Sequence, residues 1–176
     1  MSTIELIILG ILQKKPMNAY ELANFIDERQ VGRMLKISTP AIYKTCKRLY
    51  KANYLDGETI REGENPEKVV YSVNPNGKKH FFSLMEHFSG TLQPFYMDFN
   101  AFLWNIDLLK PKKAIEMLEN LKAQLIQLKQ WVIPHENEAQ AESFAVRMII
   151  KQYRMVLFTL VDWIEETIDG YKKEVK

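Results

Sequence analysis

One cysteine, three histidines and seven glycines in 176 residues leave little material for several kinds of chemistry. A lone Cys46 excludes an intramolecular disulfide and fits a reducing compartment. His80, His87 and His135 form no zinc-type cluster with it. His80 and His87 share a helical face but stand about 10 Å apart along the axis, too far to share one ion. No glycine-rich phosphate loop and no nucleophile elbow is present. No catalytic residue, metal ligand or cofactor is therefore expected. Long apolar runs are also missing, so no membrane-spanning helix is expected. Glu5 stands where a secretory leader would be basic, which points to the cytoplasm. Net charge is only +2, and residues 1–90 hold 13 Lys/Arg against 10 Asp/Glu. Such a mild excess makes local clustering of charge, not the total, the informative signal.

The clearest cluster is Ile37–Lys51. Ser38 is a good N-cap, and Pro40 in the first turn sacrifices no hydrogen bond. Ile42, Cys46 and Leu49 then repeat at four and three, one buried stripe of a helix. The opposite face carries Thr39, Tyr43, Lys44, Lys47 and Lys51, with Arg48 at its margin. No carboxylate interrupts it. Lysine and arginine neutralise phosphates, and hydroxyls donate to phosphate oxygens, so this face suits a DNA groove. The plainer alternative is a solvated lysine face.

The neighbours give that helix a context. Met1–Gln13 has seven apolar residues in nine positions, too many for one face. It reads as a short helix buried on several sides or shared with a second subunit, with a buried strand as the rival. Lys14–Met17 is a break. Asn18 caps a second helix, with Glu21 at the capping-box position. After the basic helix, Tyr54–Ile60 and Val69–Val73 read as strands around turn chemistry at residues 61–68. A hairpin after a basic helix is the order of a winged helix-turn-helix. Asn74-Pro75 opens another helix, running from Asn76 to about Ser89.

Beyond Gly90 there is no strand signal. The expected division is a winged domain at 1–90 and a helical domain at 91–176, giving a mainly α fold with a small β-hairpin. Phe95, Phe99 and Trp104 are candidates to line a ligand site, though aromatics at helical spacing are more often core. Leu118, Leu121, Leu125, Leu128 and Val132 form a helix seam. Pro134 is expected to interrupt that helix, and a last one is expected from about Ala141 to Tyr171.

Several separated motifs carry a family resemblance: Leu9-Gly-Ile-Leu12, Pro16-Met-Asn-Ala-Tyr-Glu-Leu22, Ser38-Thr-Pro-Ala-Ile-Tyr43, Lys47-Arg-Leu49 and Tyr71-Ser-Val-Asn-Pro-Asn-Gly77. Together they cover about the first 85 residues. The sequence resembles the PadR family of bacterial transcriptional regulators, in its longer subgroup with a helical C-terminal domain. The resemblance implies a regulator, with repression the expected outcome, that binds double-stranded DNA as a homodimer. It implies phosphate contacts from Tyr20 and Tyr43, groove contacts from Ser38, Thr39 and Lys44, and backbone contacts from Lys47 and Arg48. A two-fold dimer would take a pseudo-palindromic operator. Ile4 and Ile8 of the first helix, Leu121, Leu125 and Leu128, and Met148, Met155 and Trp163 are the expected dimerisation residues. The architecture also admits a small-molecule effector.

Two departures matter. Lys44 stands where the family often has proline. The wing reads Gly63-Glu-Asn-Pro-Glu-Lys68, so carboxylates replace basic or neutral residues. Affinity is therefore expected to rest on the basic helix, with a modest share from Lys68. Two other classes compete. One is a winged helix that serves protein contacts, which the acidic wing favours and the carboxylate-free helix opposes. The other is a helical carrier of small molecules.

Overall fold

The computed structural model describes residues 2–29, 35, 37–61, 67–92, 94 and 96–175. They form two compact units, Met1–Pro94 and Phe95–Lys176. The division expected from the sequence falls after residue 90.

The N-terminal unit runs α1 (Thr3–Leu12), β1 (Met17–Asn18), α2 (Ala19–Glu28), α3 (Thr39–Lys51), β2 (Leu55–Ile60), β3 (Lys68–Val73) and α4 (Pro75–Gly90). The apolar stretch at the N-terminus is a helix. Ile8, Leu9 and Leu12 are buried, and Ile4, Leu6, Ile7 and Ile11 pack around them. Leu22 and Ile26 of α2, Ile42, Cys46 and Leu49 of α3, Leu55, Tyr71 and Leu84 complete one core. Each element thus buries one face against the same centre.

The hairpin is β2 against β3, antiparallel, with Leu55 opposite Val73 and Ile60 opposite Lys68. A third strand was not expected. Met17 pairs with Tyr71 and Asn18 with Val70, giving the order β1-β3-β2. Two residues are too few to show alternation, so only the pairing reveals the strand. Residues 62–66, where the sequence predicts the turn and which include the wing residues Gly63, Glu64 and Pro66, lie outside the described residues.

The root of the hairpin is tightly built. Asn53 follows α3 in the left-handed region at φ 58°, which asparagine tolerates better than most residues. Buried Asn74 accepts a hydrogen bond from the Gly77 N–H at 2.9 Å. Its Nδ2 donates to the Asn53 carbonyl and to Asp56 Oδ1, each at 3.2 Å. Asn74 therefore caps α4 and ties it to the end of α3.

The C-terminal unit is helical: α5 (Asn100–Trp104), a 3-10 turn (Ile106–Leu108), α6 (Pro111–Glu138), a second 3-10 turn (Ala139–Ala141) and α7 (Phe144–Glu174). Leu118 and Leu125 of α6 pack on Val161, Ile164 and Ile168 of α7. Pro134 does not interrupt α6, which continues to Glu138. Proline in a helix interior deprives a carbonyl one turn back of its partner. Here Pro134 is exposed, so water can reach the carbonyl it frees, while Val132 on the other face is fully buried. His135 Nδ1 lies 2.7 Å from the Trp131 carbonyl oxygen, adding a side-chain contact to that turn. The last helix starts at Phe144, not Ala141, because Ala139–Ala141 is a 3-10 turn. Among the described residues, no helix is long and apolar enough to cross a membrane.

Candidate nucleic-acid interface

Two helix starts set the candidate surface. At α2 the expected capping box is formed. Asn18 Oδ1 accepts from the N–H groups of Tyr20 and Glu21 at 3.0 Å, and Glu21 Oε2 accepts from the Asn18 N–H at 2.9 Å. This fixes the first turn of α2, where Tyr20 is 64% exposed.

At α3, Ser38 occupies the N-cap position, and its carbonyl accepts from the Ile42 N–H at 3.1 Å. Its hydroxyl makes no capping bond, contrary to expectation. Pro40 removes one of the two N–H groups such a side chain takes, that of the second helical residue; the third, Ala41, keeps its N–H and still receives no bond from the Ser38 hydroxyl. The buried stripe is Ile42, Cys46 and Leu49, as spaced, with Thr45 joining it. Ser38, Thr39, Tyr43, Lys44, Lys47 and Lys51 face solvent. Among the described residues, none of these three lysines is ion-paired. Arg48 differs. Its Nη2 lies 2.9 Å from Glu5 Oε1 of α1. That pairing was missed, since the only signal was a single charge in an apolar helix. Lys68 is half-buried at the start of β3, opposite Ile60. With Lys15, Phe25 and Ile60 it lines an open cleft of about 420 Å³ between α2 and the sheet.

This unit, with its exposed basic α3 followed by a hairpin and a capped α4, matches the family model described as "Transcriptional regulator PadR-like family" over residues 8–82. Residues 8–82 carry a PadR-like domain. Members of that family are transcriptional regulators, not enzymes. No curated protein sequence matches the chain. Solved structures share the fold over nearly the whole length. Bacillus subtilis PadR in complex with operator DNA superposes with a TM-score of 0.81 at 17% identity, covering 97% of this chain and 98% of that one. The same protein in complex with p-coumaric acid gives 0.79 at 16%, covering 97% and 99%. The Vibrio cholerae virulence activator AphA gives 0.71 at 16%, covering 98% and 99%.

Within the PadR-like unit, Cys46 is fully buried, and burial pushes its thiol up to about 12. Only about one part in ten thousand would be thiolate at pH 8. Iodoacetamide at pH 8 is expected to leave the folded protein unmodified and to alkylate it completely in urea. Equal labelling in both would show that Cys46 is accessible after all.

The residues expected at a dimer interface separate by burial. Ile8 is fully buried in its own core and Ile4 half-buried. Leu125 is buried in the α6–α7 core, with Leu121 and Trp163 packed against it. Leu128 is 50% exposed, Met155 56% and Met148 39%. Ile133, Phe144 and Ile149 are also exposed. Of the candidate ligand-site aromatics, Phe95 lies outside the described residues and Trp104 is 89% exposed. The Phe99 ring packs against Trp163 at 5.5 Å, tilted by 31°. It also lines a cleft of about 230 Å³ with Phe102, Met117, Asn120, Leu121 and Gln124.

Proposed function

We propose that the protein is a transcriptional regulator that binds a pseudo-palindromic operator as a homodimer, and that it represses. The observation that carries this reading is α3: one face is spent on the core, and the other presents Tyr43, Lys44, Lys47 and Lys51 to solvent. Its N-terminal residues Ser38 and Thr39 would read the major groove together with Lys44. Tyr20, Tyr43 and Lys47 would bond phosphates. Lys68 adds little. The residue is half-buried, and the neighbouring sequence carries the carboxylates Glu62, Glu64 and Glu67.

One such helix offers few contacts. Useful specificity comes from two, set about 34–36 Å apart on one DNA face. The exposed apolar residues of α6 and α7, above all Leu128, Met148 and Met155, supply a surface for pairing two copies. Repression follows most simply from a dimer seated on promoter DNA. The fold does not dictate the sign, since AphA is an activator.

The cleft at Phe99 and Phe102 fits a small planar ligand, with the amides of Asn120 and Gln124 to meet a polar group. Bacillus subtilis PadR is known in complex with p-coumaric acid, and an effector of that general shape is the class we assign to this cleft.

The deciding experiment is binding to the DNA upstream of the protein's own gene, against a random duplex, across a salt series. Specific binding about 10³-fold tighter than random, falling steeply with salt, is expected. Lys47→Gln removes two phosphate contacts per dimer. It should make the log–log salt slope shallower by about 1.8. An unchanged slope would remove Lys47 from the interface. Absence of binding to either duplex at low salt would favour the protein-contact reading.

A further inference from the structure

Glu5 is the one charged residue of α1, and its side chain is only 10% exposed. A carboxylate so placed is costly unless paired. Both oxygens are engaged by different helices. Oε1 holds Arg48 Nη2 of α3 at 2.9 Å, and Oε2 lies 3.5 Å from His80 Nε2 of α4. A second link lies beside it. The Tyr54 ring stacks on His80 at 4.3 Å with 9° between the planes. The Tyr54 N–H donates to the Leu49 carbonyl at the end of α3 at 2.9 Å. The C-terminal half of α3 is thus held to α1 by an ion pair and to α4 through Tyr54. Apolar packing of Ile42, Cys46 and Leu49 restrains the roll of α3 by shape, and a directional ion pair beyond that stripe fixes it further. At a radius of about 5–6 Å, a roll of about 20° displaces side-chain ends by about 2 Å. That is enough to break a hydrogen bond of about 3 Å.

We propose that Glu5 is a positioning residue that sets the roll of α3 through Arg48, and that Arg48 is a strut to α1 rather than a phosphate contact. This rests on reading α3 as the DNA-reading helix. Arg48 lies at the margin of the basic face; its side chain is 54% exposed, but its Nη2 is directed to Glu5 of α1. The solvent-facing Lys44 and Lys47 carry no such bond among the described residues.

The test uses the full chain and two readouts. Without DNA, Tm is compared for wild type, Glu5→Gln, Arg48→Gln and the double variant. A strut predicts non-additive losses, the double variant falling no further than the worse single one. With DNA, affinity for the upstream duplex and for a random duplex is measured well below Tm across a salt series. Glu5→Gln and Arg48→Gln should each weaken upstream binding about tenfold or more while leaving the salt slope at the wild-type value. Lys47→Gln should make the slope shallower. A shallower slope for Arg48→Gln, or tighter binding by Glu5→Gln, would make Arg48 a phosphate contact and overturn the proposal. Lower Tm with unchanged affinity would make the pair a stabiliser only, which also overturns it. Additive Tm losses overturn the strut whatever the DNA result. A wild type that binds neither duplex would refute the DNA-reading role of α3, and with it the positioning of that helix for DNA. The Tm cycle would still decide the ion pair.

Discussion

Gly77→Ala is expected to destabilise the winged-helix unit by about 3 kcal/mol or more, lowering its Tm by about 12 °C or more. A Cβ built at Gly77 runs into the Tyr54 carbonyl oxygen, well inside contact distance, and stands 2.9 Å from Val73 Cγ1. The obstacle is main chain, so no rotamer change relieves it. The first turn of α4 would have to move out, and Asn74 would lose the bonds that join α4 to Asn53 and Asp56. Gly90 is the matched control. A Cβ there meets nothing within 4 Å, so Gly90→Ala should leave Tm nearly unchanged or slightly higher. Calorimetry of both variants decides the matter. Equal Tm values would mean that α4 is not seated against Tyr54.

Met155→Glu should produce a monomer and cut operator affinity by about 10³-fold, toward the level of random DNA. Met155 lies on α7 and is half exposed although apolar. In a two-fold pair each substitution counts twice. Two carboxylates would enter an apolar contact at once, where an unpaired charge is strongly unfavourable. Sedimentation at micromolar concentration, followed by titration of the upstream duplex, tests both halves. A dimeric variant with full affinity would remove Met155 from the interface. A monomeric wild type would sink the two-fold mechanism itself.

What was legible in the sequence was what depends on near neighbours. The α2 capping box is a three-residue relation, so Asn18 and Glu21 announced it. The buried stripe of α3 follows from a spacing of four and three, and its exposed lysines follow from the same period. The hairpin was visible because β2 and β3 are each six residues long. Misses came where distant parts meet or where a local rule was overridden. Met17–Asn18 becomes a strand only because Tyr71 and Val70 lie beside it. The Ser38 hydroxyl is silent although Ala41 still offers an N–H, so a capping serine in the right place does not by itself make the bond. Pro134 sits on a solvated face, where water can take up the carbonyl it frees. Of the candidate interface, the lysine face could be drawn from period alone. The engagement of Arg48 could not, because Glu5 lies on another helix far back in the chain.

The sheet order also has a consequence for how the chain acquires its structure. Because β3 is central, Met17 cannot find Tyr71 until most of the unit exists, and α1 stays incompletely covered until Leu84 arrives. Closing such distant pairings is slow relative to local ones. During synthesis the apolar α1 leaves the ribosome before the other elements of its unit and waits longest among them for its partners. The α6–α7 pair makes antiparallel contacts across a short connection and should form rapidly once both helices have emerged. The N-terminal unit thus begins first while depending on residues made much later, and its exposed α1 during that interval is the stretch a chaperone would be expected to meet.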